Sequence, residues 1–488
     1  MSRLVIGPFN RVEGDLEVRL DIADGAVTSA HVNATMFRGF ERILQGRDPL
    51  DALVYVPRIC GICSVSQGIA AARALADLAG VTPTPNGLIA SNLMLAAENL
   101  ADHLSHFYLF FMPDFVRPVY AARHWHADAV ARFTPYHGER HRAALAARQR
   151  WLRLMGTLGG KWPHTGSIQP GGSARAIEPA ERIRLLACIG EFRQFLEDAL
   201  FGAPLEEIAS LDGEAALAAW CERAGGQGGQ GDLRFFLMLA RDLGLERLGP
   251  GPGLYLSYGA YPQPEGGHAF GAGVWDAHRA RLDAVDVTAI VEDATCAWLD
   301  DAGGPRHPSA GVTEPRADKP GGYTWNKAPR LNGAVLETGA IARQLAERHP
   351  LIAEAVGRSG GNVYTRVLAR ALELARVVPM MEQWVRALAP GMPYCAAFAL
   401  PDEGSGVGLN EAARGSLGHW LEVKGGRIAN YQIVAPTSWN FSPRDASGRP
   451  GALEAALVGA PVEPGETTPV AVQHIVRSFD PCMVCTVH

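Results

Sequence analysis

The sequence predicts an α+β fold, mainly helical, with a large helical body and small β elements near both termini, in a single domain spanning residues 1–488. Three observations predict it. Apolar and polar residues alternate at the two ends, apolar residues recur every three to four positions through the middle, and no internal repeat is visible.

The elements follow in order. Residues 3–35 alternate around an Asp24-Gly25 turn, which reads as strand, turn, strand. Helical periodicity then marks Leu88–Met112, Glu139–Leu158, Pro179–Leu200, Gly339–Val356 and Val363–Leu388. The glycine-rich stretch Gly225–Gly231 reads as a surface loop. Beyond Leu400 strand signals return, with His419–Val423 and Arg427–Val434 flanking a Gly425-Gly426 turn.

Composition narrows the function. The chain is 47% hydrophobic and 20% charged, ordinary for a soluble globular protein with a sizeable core. A net charge of −6 with interspersed signs gives no support to a nucleic-acid partner or an anionic membrane surface. The most apolar stretch, Leu88–Met112, is interrupted by Glu98, Asp102, His103 and His106, so no membrane span is expected. The N-terminus lacks the layout of a secretory signal, so the expected location is cytoplasmic.

Four of the eight cysteines form two CxxC pairs, Cys60/Cys63 and Cys482/Cys485. Cys188, Cys221, Cys296 and Cys395 stand alone and read as small core residues. The tight turn of a CxxC loop presents two thiolates to one ion, and two such loops make a tetrathiolate site for a soft or borderline metal. A structural zinc stays open on cysteine count alone. Zinc knuckles place their pairs within a few tens of residues, however, whereas here everything from Ser64 to Pro481 intervenes. A thioredoxin-type dithiol is disfavoured because neither pair follows a βαβ pattern. The separation implies a central site joining the two ends of the chain, and spacing alone does not name the metal.

RICGIC (58–63) and DPCMVCTVH (480–488) closely resemble the two signature motifs of NiFe-hydrogenase large subunits. Further resembling segments are RVEGD (11–15), MFRGFE (36–41), HFY (106–108), GGKWPH (159–164), SYGAYP (257–262), KAPR (327–330), ARGSLGHW (413–420) and PTSWNFSPRD (436–445), so the likeness covers essentially the whole chain. It implies a Ni–Fe centre in which Cys60 and Cys482 are terminal nickel ligands and Cys63 and Cys485 bridge to iron. The iron would carry two cyanides and one carbon monoxide, with Arg414 and Thr437 as donors to them. Cys482 would take the proton when H2 splits, and Glu13 would pass it outward. The resemblance also puts Arg414 near the substrate with Asp114 and Asp480 as its partners. His488, Glu41 and a backbone carbonyl near Ile433 would hold Mg2+. The sequence ends at His488, which fits either a mature chain or one that never carried a C-terminal extension.

Three positions depart from the common family pattern. Ile62 stands where valine is usual, Phe110 where leucine is usual, and Gln67 where a histidine normally lies close to a bridging cysteine. Together with the absent extension they resemble the regulatory, H2-sensing subgroup. In that reading Ile62 and Phe110 narrow a gas channel and confer O2 tolerance; as neutral drift, both are enlargements that a core accepts with repacking. Ala413 replaces a proline common before the arginine, without an evident functional account.

The expectation is therefore the H2-splitting large subunit of a cytoplasmic, low-turnover H2 sensor reporting to a signalling histidine kinase. A cytoplasmic uptake hydrogenase and, more remotely, a non-catalytic zinc-stabilised subunit are the alternatives. No spare cysteine motif could carry an iron–sulfur cluster, so an obligate small subunit bearing such clusters is expected on the face near the first CxxC. Maturation proteins and a higher oligomer complete the expected partners.

Overall fold

Asp24 (φ 52°) and Gly25 (φ 73°) adopt the left-handed conformations that a tight hairpin demands. They join β2 (Leu16–Ala23) to β3 (Ala26–Ala34), and β1 (Ser2–Ile6) adds antiparallel to the other edge of β2. The computed structural model describes residues 2–223 and 231–488. The expected glycine-rich loop therefore falls largely outside the described residues, apart from Gly231, which precedes a helix from Asp232 to Leu243.

Between this sheet and the C-terminal one lies the helical body. Its main members are α1 (Ser64–Ala79), α2 (Pro85–Ser105), α3 (Glu139–Trp151), α4 (Pro179–Phe195) and α5 (Val363–Ala387). Several expected helices are interrupted. Leu88–Met112 becomes α2 followed by a π-turn at His106–Phe111. Glu139–Leu158 breaks at Leu152, and Gly339–Val356 divides into Ala340–Ala346 and Pro350–Ser359. In the last case Pro350 brings no N–H and pushes His349 to extended backbone.

Two elements escaped the periodicity argument. α1 is buried on nearly every side, so it shows little amphipathic pattern. The hairpin of β4 (Leu254–Pro262) and β5 (His268–Asp276) was legible in its turn residues Pro264 to Gly267, which separate two aromatic-rich runs. A short strand, β6 (Arg281–Asp283), pairs with β5.

The C-terminal sheet orders β7 (Gly404–Ala412), β8 (Gly415–Lys424) and β9 (Arg427–Val434) as an antiparallel meander. Helix α1 lies directly on β7. A Cβ at Gly408 would stand 1.9 Å from the carbonyl oxygen of Ala70, and one at Gly406 2.0 Å from that of Ala74. Only glycine permits this approach, and it fixes the helix that begins at Cys63. The last long helix, α6 (Val470–Phe479), returns the chain to the centre. There Asp480 ends it in left-handed backbone (φ 58°) and aims Pro481-Cys482 at the first cysteine loop. Among the described residues no helix is long and apolar enough to cross a membrane.

Candidate metal centre

The two CxxC loops meet in the core. Cys60 leaves a 3-10 turn (Val56–Ile59) in extended conformation, and Cys63 caps α1 without a side-chain cap bond. Cys482 and Cys485 lie at the start of and within the short helix Met483–Thr486. The sulfurs of Cys63 and Cys485 are 2.9 Å apart, those of Cys482 and Cys485 2.8 Å, and those of Cys60 and Cys482 3.5 Å. All four sulfurs lie within 4.8 Å of one another and all four residues are buried.

Four thiols this close cannot ionise independently. Cys60 is held well below the ordinary thiol value by hydrogen bonds from Cys482, Cys485 and Cys63. Burial pushes Cys482 and Cys485 up, and the hydrogen bond with Cys482 pushes Cys63 up. The protons that crowd these sulfurs are what a metal replaces, and an all-thiolate donor set suits nickel and iron.

Backbone bonds close the site around the N-terminal loop. The Glu13 amide donates to Pro481 O (3.4 Å), and the Met483 amide donates to Glu13 O (2.8 Å). This makes an isolated parallel bridge between Glu13 and Cys482. Burial, then the charge on Cys60, raises the Glu13 carboxyl above its usual range. Arg38, in the segment MFRGFE, ties both cysteine loops together, donating through Nη2 to Ile59 O at 2.7 Å and to Val484 O. Its place in a segment quoted for the resemblance was the available signal.

Arg414 enters the site as expected, with one correction to its partners. Its Nη2 donates to Asp480 Oδ1 at 3.2 Å and its Nε to Asp480 O at 2.9 Å. The second carboxylate is Asp102, with Oδ2 2.7 Å from Nη1, and not Asp114. Asp114 follows the π-turn and faces the other way. It accepts from Arg477 Nη1 at 2.8 and 2.9 Å and from Arg11, and His474 Nδ1 lies 3.5 Å from it. Asp102 sits one turn before His106 on α2, and the widened turn that follows carries residue 114 past the metal centre. Two carboxylates share one guanidinium, so one of them carries uncompensated charge. Burial pushes Asp102 up to about 7, whereas Arg414 holds Asp480 below its ordinary value despite burial.

Thr437 Oγ1 accepts the Cys482 amide at 3.1 Å, which leaves its hydroxyl hydrogen free to donate elsewhere. Gln67, on the first turn of α1, accepts from His419 Nε2 at 3.0 Å. His419 Nδ1 in turn faces Tyr431 OH at 2.8 Å, and burial drives the imidazole down to about 3, so it is neutral. Ile62 packs against the apolar cluster that contains all four cysteines. Phe110 does not; it is half-buried on the π-turn, and its carbonyl receives Arg11 at 3.0 Å.

A second centre lies at the chain's end. Glu41, Glu292, Thr313, Lys327 and His488 line a cavity of about 20 Å³. His488 Nδ1 lies 2.8 Å from Cys485 O, so it carries the ring proton. Nε2 faces Glu41 Oε1 at 3.1 Å, where the ring either donates a proton to the carboxylate or, with that proton gone, offers a lone pair beside it to a cation. The donor set therefore fits a hard divalent ion. Glu41 is held down at about 2, burial being outweighed by Lys327 and His488. Ile433, expected at this centre through its carbonyl, reaches it with its amide, which donates to Glu41 Oε1 at 2.8 Å. In an extended strand both polar groups of a residue share an edge, so the carbonyl lies on that same side.

A buried tetrathiolate assembled from the two ends of an α+β chain defines a metal-dependent oxidoreductase large subunit. The chain belongs to the nickel-dependent hydrogenase family, whose profile matches residues 38–139 and 237–488. It is 31% identical to the periplasmic [NiFeSe] hydrogenase large subunit of Desulfomicrobium baculatum, over 100% of this chain and 95% of that protein. It is 30% identical to the uptake hydrogenase large subunit of Azotobacter chroococcum mcd 1, with the same coverage. The fold superposes on the structure of H2-activated Dm. baculatum [NiFeSe]-hydrogenase with a TM-score of 0.86, at 29% identity and covering 100% of both chains. The protein is thus an oxidoreductase with a nickel-dependent centre, and the relatives named here are periplasmic and uptake types.

Proposed function

We propose that this chain is the H2-splitting large subunit of a cytoplasmic H2-sensing hydrogenase, with an iron–sulfur small subunit as its partner. The observation that supports the sensor reading is Ile62, lodged between two ligand cysteines in their own apolar cluster, where an added methylene restricts gas reaching the metals. Gln67, tied to His419 behind Cys63, adds to it. The names of the relatives favour a second reading, an uptake enzyme delivering electrons to metabolism. The two share every residue of the site and differ in turnover and partners.

When bound, the Ni–Fe pair, with cyanide and carbon monoxide on iron, supplies a Lewis-acidic centre that polarises H2. Cys482 would take the proton and Glu13 relay it, the backbones of the two residues being paired in an isolated parallel bridge. A carboxyl raised toward neutrality both accepts and releases a proton there. Arg414, clamped by Asp102 and Asp480, keeps a fixed cation in a dry pocket. Thr437 offers its hydroxyl to the iron's diatomic ligands. Glu41 and His488 would hold Mg2+, which would fasten the chain's end behind Cys485.

Infrared spectroscopy of the matured complex under air and then H2 tests the proposal. Metal-bound CO and CN bands that respond to H2 at once after air support the sensor. Bands locked by air until reductively reactivated favour the uptake enzyme, and their absence from a nickel-loaded sample overturns the diatomic assignment.

A further inference from the structure

Glu98 lies outside the site described above, yet it is among the most heavily bonded carboxylates in the protein. It sits on α2, one turn before Asp102, and is buried at 2% exposure. Its Oε1 accepts from the Ser66 amide at 2.8 Å and the Ser66 hydroxyl at 3.0 Å. Its Oε2 accepts from the Val65 amide at 2.9 Å, Trp162 Nε1 at 3.0 Å and the Ser64 hydroxyl at 3.3 Å.

Val65 and Ser66 are the second and third residues of α1, whose N-cap is Cys63. Their amides are those that an N-cap side chain ordinarily takes. A cysteine at this position is normally stabilised as a thiolate by those amides and by the positive end of the helix. Here a carboxylate from another helix takes them first. Among the described residues no N–H or O–H group donates to the Cys63 sulfur, whose contacts of this kind are with the neighbouring cysteine sulfurs. Cys60, by contrast, receives the Ile62 amide at 3.3 Å.

We propose that Glu98 is a positioning residue that caps α1 in place of Cys63, cancelling the helix's positive end so that the Cys63 thiolate stays an undiluted electron donor to the metal pair. Four of these five bonds hold the start of α1, and with it the first cysteine loop, against α2, which through Asp102 also holds Arg414. One helix thereby sets both the donor strength of a ligand and the place of the site's cation. This rests on the nickel–iron reading with carbon monoxide on iron, and holds for sensor and uptake enzyme alike.

The test uses the matured complex with Glu98→Gln and Trp162→Phe, read by infrared spectroscopy and the nickel K-edge. Glu98→Gln keeps size and an acceptor oxygen but removes the charge. The expected result is a CO band at higher wavenumber and a nickel edge at higher energy. Burial already pushes the Glu98 carboxyl up to about 7, and Trp162→Phe removes one of the donors that hold it ionised, so both readouts should move the same way as in Glu98→Gln by a smaller amount. Glu98→Asp, which restores charge, should recover part of the wild-type position. Unchanged bands and edge in fully loaded Glu98→Gln and Trp162→Phe would overturn the proposal, reducing Glu98 to a structural cap. If Glu98→Gln loads no metal, Trp162→Phe decides by the direction of its shift. Absence of CO bands from the wild type refutes the diatomic reading instead, and the nickel edge then judges Glu98 alone.

Discussion

Asp102 Oδ2 lies 2.7 Å from Arg414 Nη1, and neither side chain exceeds 4% exposure. Arg414 keeps Asp480 when Asp102 is lost, so the cost is that of a buried donor left without its acceptor, about 1–3 kcal/mol. Asp102→Ala is therefore expected to lower thermal stability and, by loosening Arg414, to depress H2 oxidation while nickel remains bound. Calorimetry and H2-dependent dye reduction measure the two effects, and full activity in a metal-loaded variant would remove Arg414 positioning from the mechanism.

Asp114→Ala should behave differently. It unties Arg477, Arg11 and their loops and leaves the buried Arg477 without a carboxylate, so a larger stability loss, about 3–5 kcal/mol, is expected. Arg414 keeps both of its carboxylates, so the activity remaining per bound nickel should exceed that of Asp102→Ala. A double-mutant cycle with Arg477→Ala gives the coupling directly.

Arg38 bridges the two cysteine loops through two carbonyls. Arg38→Ala should yield folded protein that retains less nickel and iron, counted per chain by elemental analysis. Undiminished metal content would show that the loops hold their places without it.

The pH dependence of stability has a definite sign at Glu373. Burial opposes its ionisation, but Arg343 (2.8 Å) and His103 outweigh that and hold its pKa at about 2, below the ordinary glutamate value of 4.5. The stabilisation is present above 4.5 and is lost as pH falls through about 2. Glu373→Gln should flatten the stability profile across that interval, and an unaltered acid limb would assign acid unfolding to other carboxylates.

Replacing Ile62 with valine and Phe110 with leucine is expected to make the H2 response sensitive to O2. Infrared spectra before and after air read the outcome, and preserved tolerance in the double variant would end the channel hypothesis.

Much of the architecture was legible. The first hairpin, the β8–β9 turn and α5 stand where periodicity and turn residues put them, because each is a local signal carried by adjacent residues. α1 was not, since burial leaves it only a narrow outer face, marked by Arg73 and Asp77 one turn apart. Glu98 and Asp102 were noticed only as charges unsuited to a membrane. Their positions one turn apart gave no hint of what lies opposite them.

By itself the sequence determined the chemistry. Two CxxC pairs and the segments around them specify sulfur ligands, and their separation required a site shared by both ends of the chain. Only the tertiary structure decided the partners of those ligands: Asp102 rather than Asp114 on Arg414, the Ile433 amide on Glu41, and Glu98 on the helix behind Cys63. The reason is physical. Ligand type is a property of one side chain, whereas an ion pair or a borrowed helix cap depends on which face of a distant helix meets it. A single widened turn, such as His106–Phe111, is enough to change that face.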